Sequence, residues 1–169
     1  MGFPTPIDKK EVEQFQLLVT QLAFFSENRK NEQFSDDFPP ELAAALTSVG
    51  AGIVGVGTVF TIFAGMSGAE IMASLAGFGV VGAVGGIASV AAVVAAPMVL
   101  AGGAAFYMAD QQKLGMKLKD LFAESYKYEK LLKRDGRVAT RGVIKALEAD
   151  RIRLSEKHLD KCQIIRHKR

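Results

Sequence analysis

Charge is almost absent from the middle of this chain: between Leu42 and Ala109, 68 residues carry one ionisable side chain, Glu70. Cysteine is scarcer still. Cys162 stands alone, which excludes an internal disulfide framework. Histidine occurs twice, at His158 and His167, in the same segment as Cys162. Three scattered ligands without a fourth, on a charged helix, do not compose a metal centre. The sequence also lacks a nucleophile–base pair and a carboxylate pair in a polar setting, so the reading is of a protein that is not an enzyme and takes no cofactor. Residues 1–20 are charged throughout and lack the apolar core of a cleaved leader. Pro6 stands where a myristoylation signal beginning at Gly2 wants Ser or Thr.

What is present divides the chain in three. Residues 1–41 hold 4 Lys/Arg against 8 Asp/Glu, and residues 110–169 hold 17 against 9. An acidic head (−4), an apolar middle (−1 from Glu70) and a basic tail (+8) give the net +3. The boundaries fall at 1–40, 41–109 and 110–169.

The head reads as one amphipathic helix over 8–31. Asp8 with Glu11 has capping-box spacing, and Val12, Phe15, Leu18, Val19, Leu22 and Phe25 recur at helical intervals. Asp36-Asp37 and Pro39-Pro40 mark a linker. Leu42–Met66 is 25 residues without charge, roughly 37 Å as a helix. A hydrocarbon core is about 30 Å thick, so this length spans with modest tilt. Ser67-Gly68 is the expected break. Ile71–Ala109, 39 uncharged residues divided by Gly85-Gly86 and Pro97, is too long for one crossing. It fits either an interfacial or re-entrant helix at 69–84 followed by a span near 86–108, or two short spans; the first leaves room for a turn. An even number of spans puts both termini on one side, and Lys113, Lys117 and Lys119 mark that side as cytoplasmic. Leu114, Leu118, Leu121, Ser125, Tyr128 and Leu132 then alternate by four and three, a seam suited to a partner helix. Asp135-Gly136 is a turn before a last helix over 137–162. The expected class is all-α: a membrane-inserted, glycine-rich helical hairpin between an amphipathic helix and a basic helical region.

Thirteen of the seventeen glycines fall in the uncharged block. Gly50-Gly52-Gly55 and Gly77-Gly79-Gly82 match the G-x-G-x-x-G dinucleotide pattern. However, helix-forming Leu42–Leu46 precedes the first, and nothing supplies a parallel sheet. Close helix packing in lipid explains the glycines better, because small residues let backbones approach where no hydrophobic drive acts. Gly82 and Gly86 form a small-xxx-small pair, and Gly57, Thr61 and Gly65 line a face, which points to a homo-oligomer. Glu70 has two readings: a cap on the first turn of the 69–84 helix at a membrane surface, or one member of a ring of carboxylates in a water-filled pore. In the basic tail, acids and bases interleave. A solvated helical face comes first, a lipid surface second, and nucleic acid is an unlikely partner.

The run Ser67-Gly-Ala-Glu-Ile-Met-Ala-Ser-Leu-Ala-Gly through Gly85-Gly86, Ala95-Ala96-Pro97 and Gly102-Gly103 resembles the interferon-induced ISG12/6-16 family over about 40 of the 169 residues. The chain departs from that pattern in its thinner glycine clustering, acidic leading helix and long basic tail. The resemblance implies a small membrane protein tied to innate immune or cell-death responses, and carries over no catalytic residues. Three functions follow: an integral membrane effector, pore-forming or otherwise membrane-perturbing, of toxin or defence type; a membrane-anchored adaptor recruiting a partner through the C-terminal seam; and a soluble helical bundle that holds lipid or a chaperone.

Overall fold

The structure is a computed structural model that describes residues 5–80 and 103–158. Every element among the described residues is a helix: α1 Lys9–Glu27, α2 Pro40–Gly50, α3 Gly57–Gly65, α4 Gly68–Val80, α5 Gly103–Leu132 and α6 Val138–Lys157. The all-α expectation is met. Membrane insertion is not supported in the same way, since no single described helix is long and apolar enough to cross a bilayer. Only α3 and the start of α4 together have the length and composition, and they are bent by 105°.

α1 is the central element. Asp8 caps it, accepting from the Lys10 amide at 3.0 Å, but Glu11 does not complete a capping box; it reaches across to α6 instead. The amphipathic stripe packs partly on α5, with Phe15 edge-on to Phe122 at 5.0 Å. The polar face is covered as well, because α4 and α6 also pack on this helix. Glu11, Glu13, Gln14, Gln16, Thr20 and Gln21 are therefore all buried. A helix of this composition tolerates such enclosure only with partners at hand. Thr20 donates to the Gln16 carbonyl at 2.8 Å, and Gln21 accepts from Ser35 at 3.2 Å.

The end of α1 is capped from far along the chain. The Arg137 guanidinium donates to the carbonyls of Phe25 (2.8 Å), Asn28 (2.9 Å) and Asn31 (2.6 Å) and lies over the Phe25 ring at 5.0 Å. A cation at a helix C-terminus satisfies orphan carbonyls and opposes the helix dipole. Asp135 orients that cation, and its side-chain hydrogen bond with Arg137 holds its carboxyl below the usual range despite partial burial. The linker after α1 folds back on it: Phe34 meets Phe25 at 5.3 Å and stacks on Phe38 at 4.9 Å.

α2 does not continue to Met66. It stops at Gly50 in a Schellman motif, with Gly52 at φ 76°, its amide bonded to the Val49 carbonyl, and the Ile53 amide bonded to Ser48 at 2.9 Å. The expected 25-residue span is thus two helices separated by a turn that only a residue tolerant of positive φ makes easily. The break at Ser67 falls where the sequence placed it. α2 lies on α6, and the crossing is as close as two backbones allow. A Cβ on Gly50 would stand 2.9 Å from the Gly142 amide nitrogen and inside van der Waals contact of the Val138 carbonyl oxygen. A Cβ on Gly142 would collide in the same way with the Leu46 carbonyl.

On α5, Leu114, Leu118, Leu121, Ser125, Tyr128 and Leu132 are all buried. α1 of the same chain packs on this helix, so the seam read as a site for a separate partner is filled from within. One hydrophobic cluster joins residues from before position 40, from 42–75 and from beyond 110.

Gly142→Ala should lower the unfolding free energy by about 3 kcal/mol, the upper part of the range for overpacking, because backbone cannot move aside as a side chain can. Gly57 and Gly65, where a Cβ meets nothing within 4 Å, should accept Ala with a change under about 0.5 kcal/mol. Chemical denaturation followed by helical circular dichroism compares the three.

Candidate functional site

The uncharged block is divided between the interior and the surface. Its first part belongs to the core: Leu42, Ala45, Leu46 and Val49 are buried, which follows from the close approach of α2 to α6. The next part does not. From Ala51 to Gly65 only Val59 and Phe63 are buried, whereas Ala51, Gly52, Ile53, Gly55, Gly57, Thr58, Thr61, Ala64 and Gly65 are exposed. Ile53 is 75 % exposed, the largest exposure among the big apolar side chains described. An uncharged stretch turned outward on one loop and one short helix is the kind of surface that marks contact with a partner or a membrane.

Three contacts hold this surface to the bundle. Gln14 donates to the Phe63 carbonyl and Lys10 to the Ala64 carbonyl, each at 3.5 Å, and the Arg153 guanidinium stands over the Phe60 ring at 5.3 Å. The first two are long bonds at the last turn of α3, where cationic and amide donors meet carbonyls left unpaired. Beyond the elbow, α4 docks on α1 with Ile71 and Leu75 buried.

Glu70 sits at the elbow and is exposed. The Ser67 amide donates to its Oε2 at 2.6 Å, and its own amide donates to Ser67 Oγ at 3.2 Å. This reciprocal pair is a capping box, with Ser67 at the cap and Glu70 three residues on. The capping reading of Glu70 therefore describes the geometry. Glu70 also lines an open groove of 490 Å³ with Pro39, Glu41, Ile62, Gly65, Met66, Ala73 and Ser74.

The small-residue face splits likewise. Gly57 and Gly65 face open space, and exposed Thr61 bonds back to the Gly57 carbonyl at 2.9 Å. No helix of the described chain occupies this face. Gly82 and Gly86 lie outside the described residues, as do Cys162 and His167. Of the flanking lysines, Lys113 and Lys119 are exposed. Lys117 is half-buried near Glu13, and burial lowers its pKa while the Glu13 charge partly restores it. It is thereby turned toward the bundle and away from the surface role read for it. Glu13, with Oε1 3.5 Å from Lys9 Nζ but accepting no hydrogen bond there, is pushed up by the same burial.

Residues that the sequence reading passed over carry much of the architecture. Gly142 interrupts a helical pattern, and an isolated glycine inside a helix commonly has a packing reason, so a signal existed. Arg137, by contrast, looks like any basic residue after a turn. Arg151 is bound to Ser125 Oγ at 3.0 Å and to Glu129, joining α6 to α5, and neither partner announces the other along the chain. Among the described residues no group of three or more His, Cys, Asp or Glu is placed to hold a metal ion.

No family model matches the chain, and no curated protein or solved structure matches it significantly.

The Glu70 carboxyl is held below the ordinary glutamate value of 4.5, first by the Ser67 backbone bond and then by the Ser67 side chain. A depressed folded-state pKa means that the cap is intact above 4.5 and is lost as pH falls through the lowered value. Carbon-detected NMR titration of Glu70 should give a midpoint below 4.5; a midpoint at or above it contradicts the cap.

Proposed function

We propose that this chain is a membrane-perturbing effector, in which a bundle of α1, α2, α5 and α6 carries an uncharged, glycine-rich segment that enters a lipid bilayer and self-associates there. The observation that carries the reading is the outward-facing uncharged stretch from Ala51 to Gly65, with Ile53 at its tip, which runs on in sequence into residues 71–109 without a single charge. Lipid accepts such a stretch at no desolvation cost, and the only ionisable group in it, Glu70, is at a helix start where an interface can hydrate it.

Two further features support the reading. The Gly57–Thr61–Gly65 face is open, as a face meant for a second helix in lipid would be before assembly. The resemblance of the segment from Ser67 to Gly103 to the interferon-induced ISG12/6-16 family points to a small membrane protein of defence or cell-death type. In this proposal the protein is integral in its active state, homo-oligomeric, and has both termini on the cytoplasmic side. The 105° bend between α3 and α4 has to open for that stretch to span, so the described state is the one that precedes insertion. The anchored-adaptor alternative is less supported, since the seam it needs at Leu114 to Leu132 packs inside the chain.

Purified full-length protein at micromolar concentration should release dye from liposomes and resist carbonate extraction from them. Ile53→Asp should weaken release by placing a charge at the leading surface, and Gly82→Leu with Gly86→Leu should abolish it by blocking helix approach. Circular dichroism confirms that each variant retains its helices. Vesicles left intact by the wild-type protein overturn the proposal.

A further inference from the structure

The first turn of α1 and the last turn of α6 meet at a cluster of charges that the membrane reading does not use. Glu11 Oε1 accepts from Lys157 Nζ at 2.5 Å and lies 3.8 Å from an Arg153 nitrogen. Glu11 Oε2 lies 3.3 Å from His158 Nε2, and the other ring nitrogen, Nδ1, lies 3.2 Å from the carbonyl oxygen of Thr5. The imidazole is fully enclosed. Arg153 is bound in turn to Asp150, itself buried, at 2.7 Å, and lies over Phe60 of α3.

Both nitrogens of His158 thus face oxygens. A neutral imidazole has one N–H, and a peptide carbonyl only accepts, so the Thr5 contact takes the ring's single proton at Nδ1. The contact between Nε2 and the Glu11 carboxyl then needs a second proton, on the ring or on the acid. Lys157 and Arg153 beside Glu11 favour its ionised form, which leaves that proton on the ring.

We propose that Glu11 and His158 form a proton-dependent clasp, closed while the second proton is held and opened when it leaves, that fastens Thr5 and the start of α1 to the end of α6. Through Arg153 and Phe60 the clasp also steadies α3; this consequence rests on the membrane reading, whereas the clasp does not. Opening follows a rise in pH: the bare Nε2 lone pair then faces a carboxylate inside the bundle. The acid side behaves differently. Burial acts to raise Glu11, but hydrogen bonds from Lys157 and His158 outweigh it and keep the carboxyl ionised until pH falls below 4.5. There Asp150, raised by burial, works in the opposite sense, so the neutral limb is the one that isolates the clasp.

Hydrogen exchange on the full chain, without vesicles, tests this. In the wild-type protein, protection factors in the first two turns of α1 should fall about tenfold between pH about 5.5 and about 8, the span in which imidazole changes charge. His158→Gln and Glu11→Gln should each show less than about a twofold change over the same span, since neither retains the ionised pair. Equal loss in His158→Gln, or no loss in the wild type, overturns the clasp. Should His158→Gln not fold, NMR of the wild type decides, with His167→Gln used to assign the ring signals. The His158 ring and the Val12 amide should titrate with one midpoint, and two distinct midpoints refute the coupling. Either result leaves dye release to be judged on its own.

Discussion

Enclosing α1 on all sides sets the terms for every other element. A buried amide or hydroxyl without a partner costs roughly 1–3 kcal/mol, and an unpaired buried charge costs more. Six polar side chains along one 19-residue helix therefore commit the surrounding helices to particular positions. α6 has to bring Lys157 and His158 to Glu11, and the elbow after α3 has to bring the Phe63 carbonyl to Gln14. Apolar packing alone would let α1 rotate or slide within its sheath. The polar contacts fix its register.

The helix periods and breaks were open to reading from the sequence because they are local. Asp8 as a cap, the turn at Asp135-Gly136 and the interruption at Ser67 depend on residues within a turn or so of one another. The burial of α1 was not legible in the same way. Its apolar stripe says which face is buried first, but whether the opposite face meets water or protein depends on helices more than 40 residues away. The seam on α5 was legible as a seam, yet heptad spacing does not say whether the complementary helix belongs to the same chain. Length misled at Leu42–Met66. Absence of charge permits a long helix without requiring one, and Gly52 at positive φ ended it.

The candidate surface was half legible for the same reason. Composition alone drew a single block from 42 to 109. Packing divides its start at the Gly50–Gly142 crossing, sending Leu42 to Val49 into the core and the residues from Ala51 onward to the outside. Glu70, whose capping role could be anticipated from the break at Ser67, was the one position where local chemistry sufficed.

The cap on α1 has a temporal side. Arg137 follows the carbonyls of Phe25, Asn28 and Asn31 by 112, 109 and 106 residues. During synthesis the central helix leaves the ribosome long before the cation that finishes it, and before the Lys157 and His158 that neutralise its other end. The greasy middle of the polypeptide emerges in that interval, without the assembled bundle beside it. Whatever receives the nascent chain, bilayer or chaperone, meets that stretch first.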